Sequence, residues 1–245
     1  MIRLPGPDEV IVWRLSLDLP DEALSQCRAV LSPPEQARGE RLRNPLHRRR
    51  HRAAWGQLRW LLASCLGRSP ERLRFGRERH GKPFLVDAPL DFNLSHSGEC
   101  LLIAVAEGRP VGVDVERVRP LSRMAALAEH CLAPSELAWW RNLEEAERIG
   151  AFFKFWTGKE AFVKADGRGL SLGLKRCVLT PDPLRLVAVP EDCGRPRDWQ
   201  LLEIEVGDPL QAALCIHGKP VSSVQVVGLP PDWLPPLRQQ PVRAS

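Results

Sequence analysis

Residues 101–118 read LLIAVAEGRPVGVDVERV, two apolar runs separated by the turn-like stretch 107–110. Leu101–Ala106 has strand character and Val111–Val118 alternates apolar with polar residues, so the two runs are expected to form a β-hairpin. Residues i and i+2 of a strand share a face. Val111, Val113 and Val115 therefore point to a core, and Asp114 and Glu116 project together. Adjacent carboxylates repel unless a positive group lies between them. The pair is either a solvent-facing acidic pair or part of a site for a hard, oxygen-liganded cation. With no His or Cys clustered nearby, magnesium or manganese is favoured over zinc.

Downstream, residues 151–170 read AFFKFWTGKEAFVKADGRGL. A strongly patterned helix over 151–165 is expected to end at Gly167 and Gly169. Glu160 and Lys164 are an i,i+4 pair on one helix face. On a solvated surface they form a salt bridge worth about 0.3–0.5 kcal/mol. The density of Phe and Trp argues that most of this helix is buried. Lys159, Glu160 and Lys164 then need partners, which a metal for the glutamate and phosphates for the lysines would supply.

Upstream, Phe92-Asn93-Leu94-Ser95-His96-Ser97 is a strand running into a polar turn, with Ser95, His96 and backbone N–H groups as anion donors. Adjacent Ser and His point apart on a strand, and no Gly-x-Ser-x-Gly elbow is present, which disfavours a serine hydrolase. In Gly81-Lys82-Pro83, Pro83 biases Lys82 to an extended backbone. The run is either a plain turn or a point of close ligand approach.

The rest of the 245-residue chain sets the frame. Its net charge of +5 rests on arginine, with only six lysines, and suits an anionic partner: a nucleic acid, a phosphorylated small molecule or an acidic protein. The seven cysteines are odd in number and contain no C-x-x-C pair, which points to reduced, mostly buried thiols. No apolar run approaches the roughly 20 residues of a membrane span, and the N-terminus does not read as a signal peptide, so a cytoplasmic protein is expected. Residues 10–17 read as a strand, a short helix opens after Pro20, Pro33 and Pro34 start another, and 51–66 form a helix stopped by Gly67. Helices are expected over 121–132 and 135–148, and strands over 175–228. One strand–helix–strands order precedes residue 110 and another follows it, suggesting two similar α+β halves. HGKP occurs at both 80–83 and 217–220, too short a match to establish a repeat.

Taken in order, GKP at 81–83, FNLSHS at 92–97, GVDVE at 112–116 and FWTGKEAFVKADGRGL at 155–170 make the chain resemble the 4′-phosphopantetheinyl transferases of the surfactin-synthetase type. The resemblance covers residues 30–175 well and the rest by architecture. It implies an α+β fold of two similar subdomains with pseudo-two-fold symmetry, an N-terminal one over 1–110 and a C-terminal one over 111–229 carrying the metal site, followed by a proline-rich tail at 230–245. It further implies a monomer with the active site in a cleft, and Mg2+ (or Mn2+) held by Asp114, Glu116 and Glu160. Coenzyme A is the implied substrate, with Lys82, Pro83, Ser95 and His96 at the nucleotide phosphates and Arg52 on the 3′-phosphate side, where Gln36, Arg38 and Arg41 are also near. Lys159 and Lys164 would meet phosphates near the metal, and Glu160 is the first candidate base, with Lys164 stabilising charge on the transferred phosphate and His96 the third residue of the implied catalytic set. The implied partner is an apo carrier protein of a fatty-acid, polyketide or nonribosomal-peptide synthase, with neither nucleic acid nor membrane involved. Leu121, Met124, Leu127 and Arg123 either form the docking surface for that carrier or simply pack the second subdomain. A metal-dependent phosphohydrolase or nuclease using the same acids, and an arginine-rich nucleic-acid binder, are the rivals.

Overall fold

The computed structural model describes residues 2–235. The expected segment 230–245 lies within this range only as far as residue 235; positions 236–245 are outside the described residues. The α+β class holds. The chain's contacts gather the described residues into two compact units, one of residues 2–3, 16–73 and 229–235, the other of Leu4–Leu15 and Arg74–Gly228.

The first unit is helical: α1 (Asp21–Ala29), α2 (Pro33–Glu40) and α3 (Pro45–Leu66). Helix α3 starts six residues earlier than its apolar pattern suggests, because Asn44 caps it through its side chain, accepting from the Leu46 N–H at 2.8 Å, with Pro45 in the first turn. It stops at Gly67, whose φ of 62° is left-handed, as expected. The Arg59 guanidinium is buried in a two-pronged pair with Glu35, at 2.8 and 3.0 Å, and donates also to the carbonyls of Pro70 and Leu73. At the end of the described chain, the Trp233 indole donates to Gln57 of α3 at 2.9 Å.

The second unit holds β1 (Glu9–Ser16, all but its last residue), β2 (Phe75–Arg77), β3 (Pro83–Leu85), β4 (Leu90–Ser97), β5 (Cys100–Glu107), β6 (Val111–Arg117), α4 (Met124–Cys131), α5 (Pro134–Arg141), α6 (Glu145–Asp166) and β7 (Val178–Pro181). Strands β8 (Leu184–Ala188), β9 (Trp199–Glu203), β10 (Leu210–His217) and β11 (Ser223–Gly228) complete it. One sheet has the order β11-β1-β5-β4 and a second the order β6-β10-β9, with β2-β3 and β7-β8 as two-stranded ribbons.

The expected hairpin across 107–110 does not form. Strand β5 pairs antiparallel with β4, from Leu90↔Glu107 to Ser97↔Cys100, whereas β6 joins β10, with Val113 opposite Leu214 and Asp114 opposite Ala213. The connection at 108–110 crosses from one sheet to the other. The core explains the switch: Val111, Val113 and Val115 of β6 lie in one buried cluster with Val10 and Val12 of β1, Leu102 and Ala104 of β5, and Leu214 and Ile216 of β10. Crossing between sheets buries both apolar faces against each other.

The opposite face of β6 meets α6. This helix begins at Glu145, six residues before the expected start, and takes up the end of the helix expected over 135–148. It is buried on most sides: Phe152, Phe155 and Phe162 are 2% exposed or less and share a second core with Cys177, Leu179 and Cys215. Gly112 permits the approach. A Cβ at this position would lie 2.1 Å from the Ala161 carbonyl oxygen and 2.3 Å from the Ala165 nitrogen, both backbone atoms. Only glycine lets strand and helix touch so closely.

Candidate active site

Three elements of the second unit, β4, β6 and α6, bring their polar residues into one cleft of about 380 Å³, lined by Leu94, Ser95, His96, Asp114, Glu116, Trp156, Glu160, Lys164 and Leu170. Asp114 and Glu116 share a face of β6, as the alternation predicts. That face does not look into bulk water: Asp114 is only 3% exposed, which removes the reading as a solvated acidic pair.

Strand β4 reaches β6 through side chains. Asn93, Ser95 and Ser97, at every second position, share one face. Asn93 Oδ1 accepts from the Val113 N–H at 3.0 Å, Ser95 Oγ donates to Asp114 Oδ1 at 2.7 Å, and Ser97 Oγ donates to Glu116 Oε2 at 2.7 Å. The expectation for this motif, phosphate donors at Ser95 and His96, does not foresee the stitch. His96 stands on the other side of the strand, exposed at the cleft rim.

From α6, Glu160 and Lys164 arrive one turn apart on the cleft face. The Lys164 ammonium donates to Asp114 Oδ1 at 2.6 Å and to Ser95 Oγ at 2.9 Å. Glu160 Oε1 and Asp114 Oδ2 are buried without a hydrogen-bond partner. Such atoms carry a desolvation cost that a cation would remove. Burial pushes the Glu160 carboxyl above its ordinary range, the negative charge of Asp114 adds to this, and Lys164 opposes it. Glu116 is likewise raised, first by burial, against hydrogen bonds from Ser97 and Trp156.

Two partnerless buried oxygens on two elements, with a third carboxylate lining the same cleft, fit a hard divalent cation. Among the described residues, no group of three or more His, Cys, Asp or Glu is arranged to hold a metal. Lys164 takes one oxygen of Asp114, and Ser97 engages Glu116.

Other predicted residues lie apart from this cleft. Lys159 is fully buried and pairs with Glu136 of α5 at 2.7 Å, while donating to the carbonyls of Leu174 and Cys177. It precedes Glu160 by one residue, about 100° around the helix, and every proton of its ammonium already has an acceptor. This placement is at odds with a phosphate contact. Glu136 in turn accepts from the Ala133 and Leu179 N–H groups. Lys82 is partly buried, donating to the carbonyls of Val111 at 3.1 Å and Ala165 at 3.0 Å. It ties the start of β6 to the end of α6, and burial holds its pKa below the ordinary lysine value. Pro83 begins β3, opposite Arg77. Arg52 belongs to the first unit and pairs with Glu40 at 2.5 Å. Of the expected docking residues, Leu121 and Met124 pack partly against the α6 core, while Arg123 and Leu127 are exposed.

Gly112, Ser97, Trp156 and Glu136 were missed as contributors to the site and its frame. Each had a sequence signal: a glycine inside a strand pattern marks a close backbone approach, Ser97 lies two residues beyond Ser95, Trp156 lies one turn before Glu160, and Glu136 follows Pro134 at a capping-box position.

Comparison with known proteins accords with this geometry. A model of the 4′-phosphopantetheinyl transferase superfamily matches residues 110–215, the stretch containing β6, α6 and most of β10. The chain is 39% identical over 217 residues to the 4′-phosphopantetheinyl transferase HetI of Nostoc sp., covering 86% of this chain and 89% of that protein. It is 34% identical over 181 residues to the 4′-phosphopantetheinyl transferase gsp of Aneurinibacillus migulanus, covering 73% and 74% of the two chains. To the 4′-phosphopantetheinyl transferase Sfp of Bacillus subtilis it is 34% identical over 103 residues, 42% of this chain and 45% of that one. The chain belongs to the 4′-phosphopantetheinyl transferase superfamily.

Proposed function

We propose that this enzyme transfers the 4′-phosphopantetheine group of coenzyme A to a serine of an apo carrier protein, giving holo carrier protein and adenosine 3′,5′-bisphosphate. The observation that carries the reading is the cleft, where Asp114, Glu116, Glu160 and Lys164 converge and two carboxylate oxygens are buried without partners. A metal-dependent phosphohydrolase or nuclease would need the same acids, and the family favours the transferase.

In the transfer, the serine oxygen bonds to the phosphorus that bears the pantetheine arm, and the bridging bond of the pyrophosphate breaks. The bisphosphate leaves with the electron pair, and the hydroxyl proton needs an acceptor. Glu160 is that base in our reading: its carboxylate faces the cleft with one buried oxygen that has no hydrogen-bond partner. Asp114, Glu116 and Glu160 would hold Mg2+ or Mn2+, which when bound supplies charge neutralisation at the phosphate oxygens. Lys164, already in the cleft, is the ammonium that meets the transferred phosphate. Ser95 and His96 line the same cleft and serve the nucleotide phosphates. Arg52 and Lys82 remain candidates for substrate contact through their charge.

A monomer is our reading, with the acids and Lys164 gathered in one cleft of the chain. Seven free cysteines, six of them buried, suit a reducing cytoplasm; no described helix is long and apolar enough to cross a membrane. The basic chain suits an acidic carrier from a fatty-acid, polyketide or nonribosomal-peptide synthase, docking near Arg123 and Leu127. The test is direct: incubate the protein with coenzyme A, magnesium and an apo carrier protein, and weigh the carrier. A gain of one phosphopantetheine is expected; an unchanged carrier, or coenzyme A cleaved without transfer, refutes the reading.

A further inference from the structure

Ser97 is set differently from the other polar residues of β4. Its hydroxyl accepts the Arg117 backbone N–H at 3.0 Å and donates to Glu116 Oε2 at 2.7 Å. Arg117 and Glu116 are the last two residues of β6. Since the Arg117 N–H engages the acceptor side of the oxygen, the hydroxyl proton is directed at the carboxylate. The rotor is fixed by a backbone group rather than by a mobile side chain. Glu116 is thus held by a hydroxyl of β4, whereas the Glu160 Oε1 and Asp114 Oδ2 atoms have no hydrogen-bond partner.

We propose that Ser97 is a positioning residue, whose hydroxyl holds the Glu116 carboxylate at the end of β6, on the cleft side, in the orientation from which it serves a divalent cation. The inference rests on the reading that Asp114, Glu116 and Glu160 bind that cation. A free glutamate at a strand end samples several rotamers, and freezing them on binding costs free energy. The Ser97 clasp meets that cost during folding, as outer groups commonly do for metal-binding carboxylates. Ser97 itself touches neither cation nor substrate in this reading.

The test uses the full chain and the variants Ser97→Ala, Ser97→Thr and Glu116→Gln. Mn2+ binding is read by electron paramagnetic resonance without coenzyme A, and transfer kinetics are measured with magnesium and coenzyme A varied separately. Ser97→Ala is expected to weaken Mn2+ binding roughly tenfold, the size typical of removing an outer-sphere hydrogen bond, and to raise the KM for magnesium in step. The KM for coenzyme A should stay within about twofold, and kcat at saturating magnesium should change little, since the reacting groups are untouched. Threonine keeps the hydroxyl and suits a strand, so Ser97→Thr should restore both metal readouts.

If Ser97→Ala binds Mn2+ like the wild type while Glu116→Gln weakens it, the clasp is refuted and the acidic site stands. If Ser97→Ala raises the KM for coenzyme A alone, or if threonine fails to restore metal binding, the hydroxyl does not act through Glu116 and the proposal falls. If Glu116→Gln also leaves Mn2+ binding and transfer unchanged, the acidic-site reading itself fails and takes the clasp with it.

Discussion

Lys164 Nζ lies 2.6 Å from Asp114 Oδ1, and the same oxygen receives the Ser95 hydroxyl. One side chain from α6 thereby neutralises the most buried acid of the cleft, on a strand fifty residues away in sequence. The arrangement explains how a 3%-exposed Asp114 coexists with Glu116 and Glu160 in one fold.

Removing that ammonium should therefore cost stability as well as activity. Lys164→Met leaves Asp114 with Ser95 and a buried charge. A loss of about 1–3 kcal/mol is expected, the range for a hydrogen bond to a charged group, measured by urea unfolding in a chelator. Added magnesium should stabilise the variant more than the wild type, because no lysine competes for Asp114. Transfer should fall by at least about a hundredfold, the size usual for losing one charge-stabilising group. A variant that is as stable as the wild type in chelator would refute the counter-ion role.

Gly112 predicts a steric outcome. In Gly112→Ala the new methyl carbon meets backbone atoms of Ala161 and Ala165, which no rotamer change relieves. The helix must move off β6, carrying Glu160 and Lys164 with it. Stability should drop by about 1–3 kcal/mol, as for overpacking in a close-packed core, with transfer lost in the fraction that still folds. Wild-type melting and turnover in this variant would show that the contact between β6 and α6 is not required.

Lys159 should prove structural. Lys159→Ala strands Glu136 in the core and is expected to cost about 3–5 kcal/mol. The double variant Lys159→Met with Glu136→Leu removes both charges and should recover most of that loss, though the Ala133 and Leu179 N–H groups would each lose an acceptor. In the folded double variant the KM for coenzyme A should match the wild type. A large rise in that KM alone would restore Lys159 as a phosphate ligand.

The raised carboxyls of Glu116 and Glu160 give a pH prediction with a definite sign. A group whose folded pKa exceeds its unfolded value binds more protons in the folded state, so its contribution to stability is fully present below the unfolded pKa and is lost as pH rises through the folded pKa. In a chelator, the contribution of these two acids should be full below the ordinary glutamate value of 4.5 and decline above it. Glu160→Gln should flatten the decline above pH 4.5 relative to the wild type, measured by urea unfolding at a series of pH values. If the variant and wild type have parallel profiles, Glu160 is not raised.

The sequence by itself determined which residues share a face along any one element. The period of two in 111–116 separated the valines from Asp114 and Glu116, and the spacing of four put Glu160 beside Lys164, because those relations are local properties of strand and helix geometry. The ordered motifs carried the family. Tertiary structure alone decided which elements meet. Strand β6 leaves its neighbour β5 for β10, about a hundred residues onward, because two apolar faces are buried by crossing between sheets and only one would be by turning back. It also decided the fate of the two lysines of α6. A helix buried on most sides has no single polar face for periodicity to mark. What separates Lys159 from Lys164 is the partner each turn of the helix encounters: Glu136 beneath one, Asp114 and Ser95 beneath the other.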